Sequence, residues 1–361
     1  MGDLNSLFIL PFLSAIIISF AATPVVIKFA KKLGIIDDPK TNIHPKVIHT
    51  RPTPRGGGIP IFAALLVSSL IFLPIDKHLA GILAGATVIT IMGFLDDKYN
   101  LNPYLRLGLG FLAAGLVVAS GIGISFISNP FGGIIDLSQP QINFTLFGIP
   151  HSIWLISDLF ALFWINFLMN IVNMGAKGVD GQLSGVTVIS ALTIAILSLK
   201  FSADIAQWPV IILAAITAGA YLGFLPWHIF PQKIMPGYGG STLAGYLLAV
   251  LSILSTTKVG ALMVVLGVPL IDSGYTIIRR ILTGKSPIWG DRGHLHHRLL
   301  DAGLSKSQVA IFYWVITALL GLLALNLNTT RKVYTMVGIA VVVGGLILWL
   351  TYQSEIKIKN R

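Results

Sequence analysis

Long apolar segments recur along the whole chain and limit its fold more than any other feature of the sequence. A helix that crosses the hydrocarbon core of a bilayer needs about 20 mostly apolar residues, and we count eleven such segments. They predict an all-α integral membrane protein with about 11 transmembrane helices, forming a single polytopic domain over residues 1–361. The predicted spans are 7–29, 59–75, 79–95, 106–128, 153–172, 183–199, 208–227, 241–256, 259–281, 308–326 and 334–352.

The composition excludes several other classes of protein. Only 11% of the residues are charged, whereas soluble globular proteins carry roughly 25%. A soluble enzyme, a disordered chain and a coiled coil are therefore excluded. The chain has no cysteine, which excludes a disulfide framework, a thiolate nucleophile and a cysteine-based zinc site.

The positions of the basic residues predict the orientation of the chain in the cell membrane. The residues before the first span contain no base, so we expect a retained helix with its N-terminus outside rather than a cleavable signal peptide. Twenty of the 25 lysines and arginines then lie on the cytoplasmic side, together with the C-terminus. The net charge of +11 therefore indicates orientation, and we expect no nucleic-acid partner. The predicted cytoplasmic loops are 30–58, 96–105, 173–182, 228–240 and 282–307.

The predicted external segment 129–152 has few charges and alternates apolar with polar residues. The alternation covers 135–137 and 142–146, on either side of the turn signal Gln139-Pro140-Gln141. This pattern predicts a small amphipathic β-hairpin on the outer surface.

Two adjacent carboxylates, Asp96 and Asp97, end the third predicted span. Neighbouring side chains on a helix point about 100° apart, so the pair suits two different roles. One carboxylate could bind a metal while the other positions or deprotonates an acceptor. A solvated helix cap is the alternative, although negative charge at a helix C-terminus opposes the helix dipole.

Three asparagines, Asn166, Asn170 and Asn173, lie on one face of the fifth predicted span. Amides at this depth in a membrane are costly unless they have partners. Hydrogen bonding between helices would satisfy them, but the same face leads into a glycine-rich segment that carries Lys177 and Asp180. We interpret this stretch as part of a polar pocket that opens to the cytoplasm.

Two further loops carry groups that suit phosphate. Lys46 and Arg55 lie near Gly56-Gly-Gly58, whose amides could form an anion-binding nest; a flexible loop with positive-inside bases is the alternative. The last cytoplasmic loop carries three histidines between two arginines, which would repel a metal cation and favour a diphosphate. The residues predicted for that site are His294, His296, His297 and Arg298.

These motifs, in this order and on one side of the membrane, resemble those of the polyprenyl-phosphate N-acetylhexosamine-1-phosphate transferases of glycosyltransferase family 4. The resemblance covers nearly the whole chain. It is most specific in Pro52-Thr-Pro-Arg-Gly-Gly-Gly58, Gly93-Phe-Leu-Asp-Asp97 and Asp291-Arg-Gly-His-Leu-His-His-Arg298. The last motif is closer to the UDP-N-acetylglucosamine:undecaprenyl-phosphate N-acetylglucosamine-1-phosphate transferase branch than to the phospho-N-acetylmuramoyl-pentapeptide translocase branch.

The resemblance implies transfer of an N-acetylhexosamine 1-phosphate from a UDP-sugar to undecaprenyl or another polyprenyl phosphate, with release of UMP. This would be the first membrane step of a cell-envelope glycan pathway, such as that of lipopolysaccharide or teichoic acid, and it implies Mg²⁺ as cofactor, with Mn²⁺ as the alternative ion. Catalysis and metal binding are implied for Asp96, Asp97 and Asp180. Diphosphate binding is implied for His294, His296, His297, Arg298, Arg55 and Lys46, and nucleotide binding for Asn170, Asn173, Lys177 and Met235.

Two positions depart from the family pattern. Lys177 stands where the family has the first aspartate of an Asp-Gly-x-Asp-Gly stretch, with one extra residue before it, and Tyr238 stands where the family has a magnesium-binding aspartate. A phenol stays protonated at neutral pH and is a poor Mg²⁺ ligand. Three outcomes stay open: Mg²⁺ is held by the other aspartates and the donor phosphates, Lys177 replaces part of its charge, or the chain binds its ligands without turnover.

A secondary transporter is an alternative from another class, because Asp158 and Asp272 lie inside predicted spans and intramembrane acids can mark ion paths. The sequence shows no internal repeat of the kind that many transporters have. Small residues in the fourth span, such as Gly108 and Ala113, would allow close helix contacts. A homodimer therefore stays open as well.

Overall fold

The structure is a computed structural model that describes residues 3–42, 47–129, 131–146, 149–255, 258–286 and 292–359. These residues are mainly helical, which confirms the predicted all-α class. The helices are α1 (Leu10–Lys32, preceded by a π-helical turn at Asn5–Ile9), α2 (Gly58–Phe72), α3 (Lys77–Tyr99), α4 (Pro103–Ala119), α5 (Leu155–Ile171), α6 (Gln182–Leu199), α7 (Trp208–His228), α8 (Gly237–Leu254), α9 (Lys258–Val265), α10 (Gly267–Leu282), α11 (Leu295–Asp301), α12 (Lys306–Ala324) and α13 (Thr329–Lys359).

Most of these helices are long and apolar enough to cross a membrane. Within the described residues, eight segments meet this criterion alone, and the bent pair of α9 and α10 makes a ninth if it is counted as one span. α2 and α4 are apolar but shorter. The chain is therefore a multi-pass membrane protein, as expected, while the number of eleven spans stays a prediction.

The fourth predicted span, 106–128, has the wrong C-terminal boundary. α4 ends at Ala119, and the chain turns at Gly121, which has a φ of 95° that favours glycine. Residues Phe126–Ser128 then form a strand. Apolar composition alone could not separate this strand from the helix before it.

The ninth predicted span, 259–281, is broken rather than continuous. α9 ends at Val265, α10 begins at Gly267, and the two axes differ by 81°. Pro269 has no N–H to donate to the carbonyl of Val265, so the helix loses a hydrogen bond where it changes direction.

Three small antiparallel sheets connect the helices. They pair β1 (Ile36–Asp37) with β2 (Thr53–Pro54), β3 (Phe126–Ser128) with β4 (Ile134–Asp136), and β5 (Gln141–Leu146) with β6 (Ile149–Trp154). The predicted strands near 135 and 142 both exist, but their predicted pairing with each other is wrong. Gly132 and Gly133, both with positive φ, form the turn that instead returns β4 to β3.

The core of the bundle is centred on α8, which packs against α2, α3, α5, α6 and α7. Two fully buried tyrosines on or beside this helix direct their hydroxyl groups at backbone carbonyls. Tyr246 donates to Ile82 at 2.8 Å, and Tyr221 donates to Gly240 at 2.6 Å. These bonds satisfy polar groups that would otherwise be costly to bury.

Glycines bring α2, α3 and α8 into backbone contact. A Cβ atom on Gly58 would lie 2.7 Å from the amide nitrogen of Gly240, and one on Gly93 would overlap the Cα of Gly239. Only glycine permits this approach. The contact places the end of α3, with Asp96 and Asp97, directly beside the start of α8.

Candidate active site

The predicted cytoplasmic loops meet at one end of the bundle. The Gly57 N–H donates to the carbonyl of Met235 at 3.0 Å, and the Met235 N–H donates to that of Pro54 at 2.8 Å. The backbone N–H and C=O of Met235 thus hold the first loop against the segment before α8. Met235 is one of the residues predicted to bind nucleotide. The Gly57 amide is therefore used in this contact, and close packing accounts for Gly57 and Gly58, while an anion nest in this loop stays a prediction.

Asp97 lies at the point where α3 meets α8. Its Oδ1 accepts a hydrogen bond of 3.0 Å from the Tyr238 N–H, and its side chain is buried. Its Oδ2 lies over the Cα of Gly237, where a Cβ atom would overlap it, and within the described residues it accepts no hydrogen bond. The side chain of residue 238 is therefore not needed to hold Asp97, because the backbone does so.

The charge of Lys177 has a larger electrostatic effect on Asp97 than the charge of Arg55 has. Its Nζ donates to the carbonyl of Gly237 at 2.8 Å, the residue that also packs against Asp97. Lys177 follows a π-helical turn at Val172–Ala176. A π turn accommodates one extra residue in a helix, so this turn accounts for the extra residue that the sequence shows before Lys177.

Asp96 points to a different set of partners from Asp97. Its Oδ1 accepts from the Leu101 N–H at 3.1 Å and from Arg106 at 3.2 Å. The same guanidinium lies 4.7 Å from the centre of the Tyr238 ring. The sequence alone does not mark Arg106 as a site residue, because a base in the first turn of a span is also expected from the positive-inside rule.

Asp180 lies in a third environment. Its carboxylate accepts from the side chain of Gln232 at 3.1 Å and lies 3.7 Å from the Nζ of Lys306 at the start of α12. Gln232 and Lys306 are two further site residues that no sequence pattern indicates. Within the part of the chain that the structure describes, no group of three or more histidine or acidic side chains is arranged to hold a metal ion.

The asparagine face connects the site to its neighbouring helices. Asn173 accepts a 2.6 Å hydrogen bond from the hydroxyl of Ser241 on α8. Asn170 donates to the side-chain oxygen of Asn166 at 2.9 Å, and Asn166 donates to the Leu107 carbonyl at 3.4 Å. The bond of Asn166 runs between helices, from α5 to α4, whereas Asn170 bonds within α5. The bond from Ser241 places Asn173 beside the segment with Gly237 and Tyr238, and nucleotide binding by Asn170 and Asn173 stays a prediction.

The three histidines lie at the start of α11 and pack as one cluster. The rings of His294 and His296 stack at 5.6 Å, and those of His296 and His297 lie 4.3 Å apart. His296 also packs on Gly178, where a Cβ atom would lie 2.5 Å from its Nδ1. The histidine cluster is therefore in contact with the loop that carries Lys177.

The predicted phosphate-binding bases are held by protein partners. Arg55 forms an ion pair with Asp37, and Arg298 donates to Thr351 and to the carbonyl of Gly293. Burial alone would raise the pKa of Asp37, but the hydrogen bond from Asn42 and the charge of Arg55 keep it below its ordinary value of 3.8. Lys46 lies outside the described residues.

Burial lowers the pKa of His296 well below its ordinary value of 6.5, with a smaller effect from the neighbouring histidines. The folded protein therefore favours the neutral ring, and the unfolded chain binds more protons below pH 6.5. Stability is expected to fall as the pH drops from 7 to 5, with a slope of at most about 1.4 kcal/mol per pH unit for this one proton. Thermal unfolding of the detergent-solubilised protein and of His296→Asn at several pH values measures the effect.

The slope of stability against pH should be smaller in His296→Asn than in the wild type. His78→Asn is the matched control, because His78 is half exposed at the opposite end of α3. If stability falls with pH equally steeply in the wild type and in His296→Asn, the conclusion that His296 is buried in its neutral form is wrong.

Similarity to known proteins identifies the family of this chain. A family model described as Glycosyl transferase family 4 matches residues 79–256, from the start of α3 to the end of α8. A probable undecaprenyl-phosphate N-acetylglucosaminyl 1-phosphate transferase from Bacillus subtilis is 31% identical over 330 residues, which cover 89% of this chain and 84% of the relative. The chain belongs to glycosyl transferase family 4. This family member is therefore an enzyme of the phosphoglycosyltransferase class, and the resemblance found in the sequence is confirmed.

Two further relatives place the chain within the family. A decaprenyl-phosphate N-acetylglucosaminephosphotransferase from Mycobacterium tuberculosis is 29% identical over 365 residues, covering 92% of this chain and 86% of its own length. A phospho-N-acetylmuramoyl-pentapeptide-transferase from Caldanaerobacter subterraneus is 30% identical over 301 residues, covering 81% of this chain and 87% of its own length. The N-acetylglucosamine relatives match 89% and 92% of this chain, whereas the muramoyl-pentapeptide relative matches 81%. This glycosyl transferase family 4 member is therefore more similar to the N-acetylglucosamine branch, as its histidine pattern predicts.

Proposed function

We propose that this enzyme transfers an N-acetylhexosamine 1-phosphate from a UDP-sugar to a polyprenyl phosphate and releases UMP. One observation carries the proposal: the buried carboxylate of Asp97 and the ammonium group of Lys177 both contact Gly237, at the start of α8. The names of the relatives, which describe N-acetylglucosaminyl 1-phosphate transferases that act on undecaprenyl or decaprenyl phosphate, support the same reaction. In the cell, the site would face the cytoplasm, with the N-terminus outside and the C-terminus inside.

The reaction joins two anions, which determines what the site must supply. An oxygen of the lipid phosphate attacks the phosphorus that carries the sugar, the bond from this phosphorus to the bridging oxygen breaks, and UMP leaves with that oxygen. Positive charge near the phosphates lowers the barrier, and Lys177, Arg106 and the histidine cluster supply donors. Asp97 would position the lipid phosphate and take its proton if it carries one.

A magnesium ion fits this site only in part. Mg²⁺ commonly takes one or two carboxylates and completes its shell with water and substrate phosphates. Asp97, whose Oδ2 accepts no hydrogen bond within the described residues, suits such a ligand, whereas Asp96 is bound to Arg106 and Asp180 to Gln232. We therefore propose that Asp97 holds Mg²⁺, or Mn²⁺, together with the donor diphosphate, and that the ion neutralises phosphate charge when it is bound.

Release of UMP in proteoliposomes tests this function. Wild-type enzyme with UDP-N-acetylglucosamine or UDP-N-acetylgalactosamine, undecaprenyl phosphate and Mg²⁺ is expected to form UMP and lipid-linked sugar in equal amounts, and omission of the lipid should stop both. Binding of the nucleotide sugar without UMP would favour a protein that binds without turnover. Flux of labelled solute across the membrane without UMP would favour a transporter.

A further inference from the structure

Asp272 is a buried acid whose role the sequence leaves open between an ion path and helix packing. It lies on α10, after the break that follows α9. Its side chain is fully buried, with no exposed surface. An ionised carboxylate in such a place is costly unless it has good partners.

Both oxygens of Asp272 have partners in the histidine loop. Oδ2 lies 2.9 Å from the Nδ1 of His294, whose side chain is also buried. Oδ1 accepts a hydrogen bond of 2.7 Å from the Leu295 N–H, the first residue of α11. Asp272 therefore fixes both the ring of His294 and the start of the helix that carries His296 and His297.

The contact determines which nitrogen of His294 carries a proton. A carboxylate only accepts hydrogen bonds, so the Nδ1 of His294 must donate, and Nε2 is left for another partner. Nε2 would donate to a phosphate oxygen only when it also carries a proton.

His294 is connected to the proposed reaction centre by direct packing. Its ring stacks on His296 with the planes 8° apart, and His296 rests on Gly178. Gly178 follows Lys177, which donates to the carbonyl of Gly237 beside Asp97. A rotation of His294 would therefore disturb the histidine cluster and the Lys177 loop together.

We propose that Asp272 is a positioning residue that sets the tautomer of His294 and orients the histidine cluster toward the diphosphate of the donor. The inference rests on the proposed function for the identity of that ligand. It differs from an ion path, because both oxygens of Asp272 are already hydrogen-bonded within the protein. Asp158, the other acid inside a predicted span, accepts from the Trp154 N–H at the opposite end of α5 and is only half buried.

The first test compares Asp272→Asn, Asp272→Glu and Asp158→Asn by initial rates of UMP release. Asn keeps the shape of the side chain but removes its charge and can turn a donor toward Nδ1. Asp272→Asn is expected to lower kcat roughly 10- to 100-fold, the range for loss of the partner that orients a metal-bound histidine, with a smaller change in KM. Asp272→Glu should recover part of the rate, and Asp158→Asn should match the wild type.

A double-mutant cycle with His294→Gln separates positioning from packing. If Asp272 acts through His294, Asp272→Asn should cost little in the His294→Gln background, since the two residues act as a unit. Losses that multiply in the double variant, or full kcat in Asp272→Asn, would overturn the proposal.

A spectroscopic measurement does not depend on turnover. In protein with ¹⁵N-labelled histidine, the signal that disappears in His294→Gln should show a protonated Nδ1 in the wild type and an altered protonation pattern in Asp272→Asn. If the wild type releases no UMP, the proposed function fails, while this measurement still decides whether Asp272 sets the tautomer. An unchanged His294 signal in Asp272→Asn would show that it does not.

Discussion

Replacement of Asp97 by Asn is expected to lower the rate of UMP release roughly 10²- to 10⁴-fold, the range for loss of a group that transfers or positions a proton. The amide has the same shape and can still accept the hydrogen bond from the Tyr238 N–H. What it lacks is the negative charge beside Lys177 and the ability to accept a proton. The fold should therefore persist while the chemistry is lost. Initial rates at saturating donor and lipid measure the effect.

Asp136→Asn is the matched control for this variant. Asp136 lies on β4, is exposed, and accepts from the N–H and the side chain of Ser138. It should keep the wild-type rate. Elution as a single species and an unchanged melting temperature would exclude unfolding of Asp97→Asn. Turnover by Asp97→Asn within tenfold of the wild type would remove Asp97 from the reaction.

Replacement of Lys177 by Asp is expected to lower kcat roughly 10²- to 10³-fold, the range for loss of one donor at a developing charge. The change removes the hydrogen bond from Nζ to Gly237 and places a second negative charge near Asp97. The companion variant is Tyr238→Asp. The backbone N–H that holds Asp97 remains there, and a carboxylate is added beside Arg106.

Metal titration distinguishes the roles of these two residues. If Lys177 supplies part of the positive charge, the double variant Lys177→Asp/Tyr238→Asp should recover activity relative to Lys177→Asp, and only at raised Mg²⁺. Its affinity for Mn²⁺, measured by electron paramagnetic resonance, should also exceed that of the wild type. Wild-type activity and an unchanged Mg²⁺ dependence in Lys177→Asp would contradict a role for its charge.

The helices could be predicted because long apolar runs leave few other structures in a membrane. The break between Val265 and Gly267 could not, because hydropathy does not register the single hydrogen bond that Pro269 removes. The pairing of the short strands was also out of reach. β4 and β5 lie on either side of Gln139, but β4 pairs with β3 and β5 pairs with β6. Alternation of apolar and polar residues indicates which face of a strand is apolar, but not which strand lies next to it.

The grouping of Asp97, Asn173 and the histidine cluster at one end of the bundle could be predicted, because unusual polar residues stand there next to long apolar segments. The sequence could not indicate which acid pairs with which base. Arg106 and Lys306 occur in the first turns of their helices, where any membrane protein carries bases on the inner side. Only the three-dimensional structure assigns them to Asp96 and Asp180.

The backbone contacts of Gly58, Gly93 and Gly239 also bear on how such an enzyme can diverge. A side chain at Gly58 or Gly93 would separate α8 from α2 or α3 and move Asp97 away from the backbone that holds it. Selection for a different sugar therefore cannot act through these positions without loss of the reaction. New specificity would have to arise elsewhere, for example in the segments around Gly178 and α11, which contact each other through His296.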